Sequence, residues 1–334
     1  MKFLICGGYG FIGSAFIRNH LEKNPHDEII NIDNLSLGSN KKNLEKFENN
    51  FNYKFENVDI TNLDFVKKIS KDVDIIINFA AETHVDRSIS NPMPFIKTNI
   101  FGTYCLLEAS KEFEKLFIHV STDEVYGDLE DDEIPFNEND NLIPSNPYSA
   151  TKASGDLLVQ SYFRTYNSKC IITRCTNNFG PYQFPEKLIP KTIIRSQKNL
   201  KIPLYGNGSQ KRSWIFVDDH ISALDLISKK GISGQTYNIS SNNEISNKEL
   251  VIKILNSMNK SSDSIEYVQD RPGHDKRYSI NSEKIQTELG WKPKFDFHNA
   301  IENTIKWYVD NSEWWEPLVN EQTIHPQPWK IQWN

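Results

Sequence analysis

The chain has 334 residues and a formal net charge of −6, with 38% hydrophobic and 25% charged residues, an ordinary balance for a soluble globular protein. That length exceeds one typical domain and suggests two lobes or a large α/β domain with an appendage. The acidic balance argues against nucleic acid or an anionic membrane as the main partner, and no apolar run approaches the roughly 18 residues that span a bilayer. The opening MKFLIC is too short for a signal-peptide core and runs straight into a glycine-rich turn, so a cytoplasmic protein is expected. Cys6, Cys105, Cys170 and Cys175 form no C-x-x-C pair, and no His/Cys/Asp group has metal-ligand spacing. Reduced thiols and no metal are expected.

In chain order, KFLIC (2–6) and EIINID (28–33) read as buried strands, with a helix over 11–24 between them. YKFENVDI (53–60), VDIIINFAA (73–81) and KLFIHVST (115–122) are the next strands, separated by helices over 63–71 and 98–114. A long helix over 146–167 follows, then a strand over 170–180. Strands alternating with helices imply parallel pairing and a doubly wound, Rossmann-type sheet. Beyond about residue 176 the pattern breaks up. Residues 180–199 are punctuated by proline, 202–219 look like short strands joined by a turn, and the tail is rich in tryptophan. The expected division is a nucleotide-binding domain over 1–175, to which segments around 214–240 return, and a smaller mixed lobe over 176–334 that holds a ligand.

CGGYGFIGS follows the first strand and opens the first helix. Gly7, Gly10 and Gly13 are spaced G-x-x-G-x-x-G, and Gly8, Gly10 and Gly13 satisfy G-x-G-x-x-G. Such glycines permit a tight turn and leave a helix N-terminus free for a pyrophosphate. Asp33 ends the second strand 20 residues after Gly13, where a carboxylate binds both ribose hydroxyls of NAD and repels the extra phosphate of NADP. Asp59 and Ile60, at the end of the third strand, are expected to flank the adenine.

Tyr148 and Lys152 lie four residues apart in the 146–167 helix and share a face. A lysine ammonium beside a phenol stabilises the phenolate, so a lowered tyrosine pKa is expected. The strand over 115–122 ends in Thr122, Asp123 and Glu124. Two adjacent carboxylates there raise each other's cost of ionising, and neighbours on a strand would point to opposite faces.

The stretches GGYGFIGS, AAETHVDRSI, STDEVYGDL, NPYSATKAS, NNFGPYQFPEKLIP, PLYGNG, RPGHDKRY and ELGWKP run from residue 7 to 293. With them the chain resembles the extended short-chain dehydrogenase/reductases, and among these the dTDP-glucose 4,6-dehydratase family. The resemblance implies a lyase that uses NAD and converts a nucleoside-diphosphate glucose to its 4-keto-6-deoxy derivative. It implies Thr122, Asp123, Glu124, Tyr148 and Lys152 as the catalytic set, with Asp123 as general acid and Glu124 as general base. NAD would lie against Gly7, Gly10, Phe11, Ile12, Gly13, Asp33, Asn34, Leu35, Ser36, Asp59, Ile60, Ala80, Ala81, Thr83, Thr98, Tyr148, Lys152 and Asn178. The nucleotide sugar would meet His84, Thr122, Asn177, Lys187, Leu188, Pro203, Tyr205, Arg212, Asn247, His274 and Tyr278. Arg212 is followed by Ser213 where the family commonly has aspartate, which puts the local support of that arginine in question. dTDP and UDP remain alternatives for the base. A UDP-sugar epimerase or decarboxylase, or a non-catalytic NAD sensor, shares much of the frame. Apolar residues cover more of the 98–114 and 146–167 helices than one sheet face needs, so a homodimer is expected.

Overall fold

The computed structural model describes residues 1–332. Its first part builds β1 (Lys2–Cys6), α1 (Phe11–Lys23), β2 (Glu28–Asp33), β3 (Tyr53–Asn57), α2 (Leu63–Ser70) and β4 (Ile75–Asn78). Two short helices, α3 (Val85–Ser90) and α4 (Met93–Phe95), lead through a π-helical stretch, Ile96–Gly102, into α5 (Thr103–Glu112). Next come β5 (Leu116–Thr122), a 3₁₀ turn over Asp123–Val125, α6 (Pro147–Tyr166), β6 (Cys170–Cys175) and β7 (Asn177–Phe179). The remainder holds α7 (Leu188–Gln197), β8 (Ile202–Tyr205), β9 (Lys211–Phe216), α8 (Val217–Lys230), β10 (Thr236–Ile239), β11 (Glu244–Ser246) and α9 (Asn247–Ser257). It ends with β12 (Ile265–Val268), β13 (Arg277–Tyr278), α10 (Glu283–Leu289), α11 (Phe297–Asp310) and α12 (Ser312–Trp315).

Seven strands form one parallel sheet in the order β10-β6-β5-β4-β1-β2-β3. β1 shows why it is central. Phe3 and Ile5 pack into one core layer with α1 and α8, whereas Leu4 and Cys6 pack into the opposite layer with α2, α5 and α6. Successive strand residues face opposite sides, so only a strand apolar at every position can be buried on both faces. The order reverses between β1 and β4, and in such sheets ligands bind in the crevice beyond the strand C-termini at that point.

A second sheet, β11-β9-β13 with β7 also on β9, caps that crevice, and β8 pairs with β12. Beneath it Phe179, Trp214, Ile254, Tyr308, Trp314 and Trp315 form a separate aromatic core.

The structure departs from the sequence reading in three places. The strand expected over 170–180 is two: β6 stays in the large sheet, and β7 leaves it after Thr176 to join β9. The third strand, expected over 53–60, stops at Asn57, so Asp59 and Ile60 lie beyond its end. The helix expected over 98–114 begins as a π-helix, where Gly102 packs closely against the Ile60 side chain. All four cysteines are buried and free, and no helix among the described residues is long and apolar enough to cross a membrane.

Candidate active site

The glycine turn places main chain where side chains would otherwise stand. Gly7 has φ of 78° and a Cβ on it would come within 2.7 Å of Ala80, while one on Gly13 would come within 2.4 Å of the Gly7 carbonyl. Gly10 is the N-cap of α1 and has no side-chain cap, leaving the first N–H groups of the helix directed into the cleft. Asp33 is buried; Oδ1 accepts from Leu35 N at 2.8 Å and Ser39 Oγ at 2.7 Å, while Oδ2 accepts only from Tyr9 N at 3.0 Å. A carboxylate oxygen has two lone-pair sites, so acceptor capacity remains on the cleft side. These features fit a dinucleotide.

The cleft collects Gly7, Gly10, Phe11, Ile12, Gly13, Asp33, Asn34, Ser36, Ile60, Ala80, Ala81, Thr83, Thr98, Tyr148, Lys152 and Asn178. Leu35 and Asp59 do not line it. Leu35 packs on the core at φ 57°, contributing its N–H to Asp33. Asp59 turns back to accept from Thr61 and, at 3.2 Å, from Asn34 Nδ2.

Thr122, Asp123 and Glu124 share the inner end of the same cleft. The strand stops at Thr122, whose hydroxyl caps the 3₁₀ turn by accepting from Glu124 N at 3.3 Å. The turn replaces strand alternation, so both carboxylates reach the cleft. Asp123 is only 2% exposed; its Oδ1 accepts from Thr122 Oγ1 at 3.2 Å, and Oδ2 has no hydrogen-bond partner among the described residues. Burial, reinforced by the charge of Glu124, pushes the Asp123 carboxyl up to about 8. Burial also raises Glu124, but Arg271, Arg212 and Lys187 oppose the shift. Two adjacent carboxyls thus meet different fields.

Tyr148 enters the cleft from the first turn of α6, fixed by a reciprocal Asn146/Ser149 cap and by Ser88 Oγ accepting from Tyr148 N at 3.1 Å. Its phenol lies well above its ordinary value, raised by burial and then by Glu124 and Cys175, with a hydrogen bond to Thr122 acting the other way. That corrects the expected lowering. Lys152 Nζ donates to the Val120 carbonyl at 2.8 Å, and burial brings the ammonium down to about 8, so burial and carboxylates outweigh its effect on the phenol.

A second cavity opens from the first, sharing Thr83, Glu124, Asn177, Glu186 and Lys187. It gathers His84, Asn177, Lys187, Leu188, Pro203, Tyr205, Arg212, Asn247, His274 and Tyr278 from both halves of the chain; Thr122 stays in the first cleft. Arg212 is 4% exposed, bonded to the carbonyls of Lys211 and Asp275 at 2.7 and 2.9 Å and stacked 4.1 Å from the Tyr278 ring centre. Carbonyls and an aromatic face hold it without an aspartate at Ser213. No carboxylate neutralises it within 4 Å among the described residues, so it can offer its charge to an anion. Burial holds His84 down at about 4, hence neutral.

Sequence reasoning missed Asp86, Glu186, Lys191 and Arg271 of this cavity. Arg271 Nη1 donates to Asp86 Oδ1 at 2.8 Å, and Tyr205 OH donates to Asp86 Oδ2 at 2.5 Å. Although burial opposes it, Arg271 keeps Asp86 well below the usual carboxylate range. The signal for Arg271 was at hand, since it opens the stretch RPGH in which only His274 was singled out.

A doubly wound sheet with a glycine turn, a strand-end aspartate and a Tyr/Lys pair facing a carboxylate couple defines a dinucleotide-dependent enzyme of the extended short-chain dehydrogenase class. Residues 4–304 match the family model for GDP-mannose 4,6 dehydratase. The chain belongs to that family. It is 44% identical to a dTDP-glucose 4,6-dehydratase of Escherichia coli, covering 96% of this chain and 97% of that one. Among solved structures it resembles dTDP-glucose 4,6-dehydratase from Bacillus anthracis in complex with NAD, with a TM-score of 0.90 and 42% identity over 96% of this chain and all of that one. The dTDP-glucose 4,6-dehydratase of Streptomyces venezuelae, with NAD and a second ligand bound, gives a TM-score of 0.93 at 40% identity over the same shares.

Proposed function

We propose that the chain is an NAD-dependent hydro-lyase that converts dTDP-glucose to the 4-keto-6-deoxy sugar, a step of deoxysugar and rhamnose-type polysaccharide biosynthesis, in the cytoplasm. The observation that carries this reading is the Asp123/Glu124 couple at the junction of the two cavities, with one carboxyl raised to about 8. An epimerase has no need of such a pair. Residues 1–175 and about 214–240 are assigned to the cofactor lobe and most of the remainder to the sugar-nucleotide lobe.

The hexose C5–H is not acidic and its C6 hydroxyl is a poor leaving group; a ketone at C4 makes the C5 proton removable because the carbanion becomes an enolate. NAD, when bound in the first cleft, supplies the acceptor for the C4 hydride and its donor to C6. Tyr148 would take the C4 hydroxyl proton as a phenolate, which the Thr122 hydrogen bond, the Lys152 ammonium and the positive charge of a bound nicotinamide would favour against the burial that raises the phenol. Glu124 then removes the C5 proton, its charge favoured by Arg271, Arg212 and Lys187. Asp123, protonated below about pH 8, gives its proton to the departing C6 hydroxyl as water. C5 is finally reprotonated from Glu124, and the proton that Tyr148 took from the C4 hydroxyl returns Asp123 to its acid form, so each turnover releases only water and the 4-keto sugar. Arg212, Arg271 and Lys187 would meet the diphosphate. Asp33 would hold the ribose.

Incubation with dTDP-glucose and with UDP-glucose tests the reading. The expected result is mass loss of one water and an alkali-sensitive chromophore with dTDP-glucose, without accumulation of free NADH. Stoichiometric NADH release would point to a simple dehydrogenase, and preference for UDP-glucose would reassign the base.

We also propose a homodimer. Met93, Ile96, Phe101, Leu157 and Tyr166 are exposed along α4, the π-helical stretch and α6, and pairing these helices across a two-fold axis would cover them. Light scattering at micromolar concentration should give twice the chain mass; the monomer mass would refute the assembly.

A further inference from the structure

On the α6 side of β5 lies a second group of buried ionisable side chains that the steps above do not use. Asp156 is fully buried one helical turn after Lys152, and Arg174 is 1% exposed on β6. Asp156 Oδ2 accepts from Arg174 Nε at 2.8 Å. Among the described residues its Oδ1 has no hydrogen-bond partner and lies 3.6 Å from His119 Nε2, and neither ring nitrogen of His119 is hydrogen-bonded. Arg174 continues to Tyr126 OH at 2.7 Å, and that hydroxyl donates to Asn238 Oδ1 at 2.8 Å. The carboxylate is therefore fixed through one oxygen and unpaired at the other. Buried polar atoms without partners are destabilising, and apolar replacements of buried ion pairs are often neutral or better. Three such atoms together beneath the Tyr/Lys helix serve something other than stability.

That something is next in the chain. The only hydrogen bond of Lys152 Nζ among the described residues is to the Val120 carbonyl, and no carboxylate stands within ion-pair distance of it. Titratable neighbours are Tyr148 and Asp156 on its own helix, His119 and Asp123 from β5 and its end, Arg174 and Cys175 from β6, and Glu124 across the cleft. The packed π-helical stretch brings only uncharged Thr98 to the cleft, its Lys97 being exposed. On α3, Asp86 and Arg87 are engaged with Arg271 and Glu186.

We propose that Asp156 is a positioning residue for Lys152, supplying the countercharge that keeps the buried ammonium protonated and seated on the Val120 carbonyl, while Arg174 limits that support by sharing the carboxylate. The inference rests on the reading of Lys152 as partner of Tyr148. Burial brings the Lys152 ammonium down to about 8, and Asp156, one turn further along the same helix face, is the first group opposing that shift.

The test uses the full chain as Asp156→Asn, Arg174→Gln and the double variant. Trace labelling with acetic anhydride between about pH 6 and about pH 10, with the Lys152 peptide quantified by mass spectrometry, reads its protonation without requiring turnover. The midpoint should fall by about one pH unit in Asp156→Asn, rise in Arg174→Gln, and sit at the Asp156→Asn value in the double variant. In turnover of dTDP-glucose, Asp156→Asn should lose kcat from a correspondingly lower pH with KM unchanged, and Asp156→Glu should restore the profile. A purely structural role would lower the melting temperature and leave both midpoints in place, which overturns the proposal. Should Asp156→Asn not fold, Arg174→Gln decides alone: a raised midpoint supports the proposal, and an unchanged or lowered one refutes it. Absence of turnover in the parent protein would overturn the assigned reaction, whereas the labelling midpoints judge Asp156 separately.

Discussion

The two cavities that meet at Glu124 are built in opposite ways. The cofactor cleft is mostly main chain and strand ends: a glycine turn, a helix N-terminus and Asp33, supplied by consecutive βαβ segments. The second cavity is lined by side chains drawn from α3, α7, β8, β9, α9 and the 271–278 segment, with Asp86, Glu186, Lys187, Lys191, Arg212 and Arg271 charged among them. Its Arg271 and Asp86 hold one another in place, and its Glu186 is held by Arg87 from outside the lining. Backbone recognition tolerates little change of shape. Side-chain recognition tolerates little change of charge.

The sharpest attack on that contrast is Arg271→Met. It leaves Asp86, 4% exposed, without its cation, and breaking a buried pair costs about 3 kcal/mol or more. The melting temperature should fall and KM for dTDP-glucose should rise by about tenfold or more, while NAD binding by calorimetry stays as it was. Asp86→Asn in the same chain should recover much of the stability and none of the affinity. A loss of NAD affinity would show that the two cavities are not separable.

Asp123→Asn is expected to reduce kcat by about a hundredfold or more, and its effect on stability has the opposite sign. The folded-state carboxyl is raised to about 8, so between its ordinary value and 8 the folded protein binds a proton that the unfolded chain has released. Stability therefore falls as pH rises through that window. The amide removes this loss, and its melting temperature should exceed the parent's by a margin that widens from pH 5 to about pH 9. A constant margin would mean that Asp123 is not the group titrating. Turnover by the parent should also decline on the alkaline side as Asp123 loses its proton.

The smallest effect is expected at Ser213. Carbonyls and the Tyr278 ring already hold Arg212, so Ser213→Asp should change KM by no more than about threefold. A larger gain in affinity would mean that the missing carboxylate had been limiting the site.

The same contrast explains what could be read from the sequence. β1, β2 and the glycine turn were legible because their residues are contiguous and their physical demands local: a largely apolar run, or no Cβ. The carboxylate-bearing end of β5 was legible as a puzzle, and the 3₁₀ turn after Thr122 resolves it by ending strand alternation. The second cavity came only through family resemblance, since no spacing rule links Asp86 to Arg271 across 185 residues. Nor does composition distinguish the π-helical 96–102 from an α-helix, or mark Thr176 as the point where the chain leaves one sheet for another.

The division of labour between the two carboxylates is tested most directly by solvent-deuterium uptake at C5 of substrate recovered from Asp123→Asn and Glu124→Gln. With the base intact, the Asp123 variant should exchange C5 while eliminating water slowly. The Glu124 variant should show almost no exchange, because no group remains to take that proton. Rapid C5 exchange in Glu124→Gln would contradict the assignment.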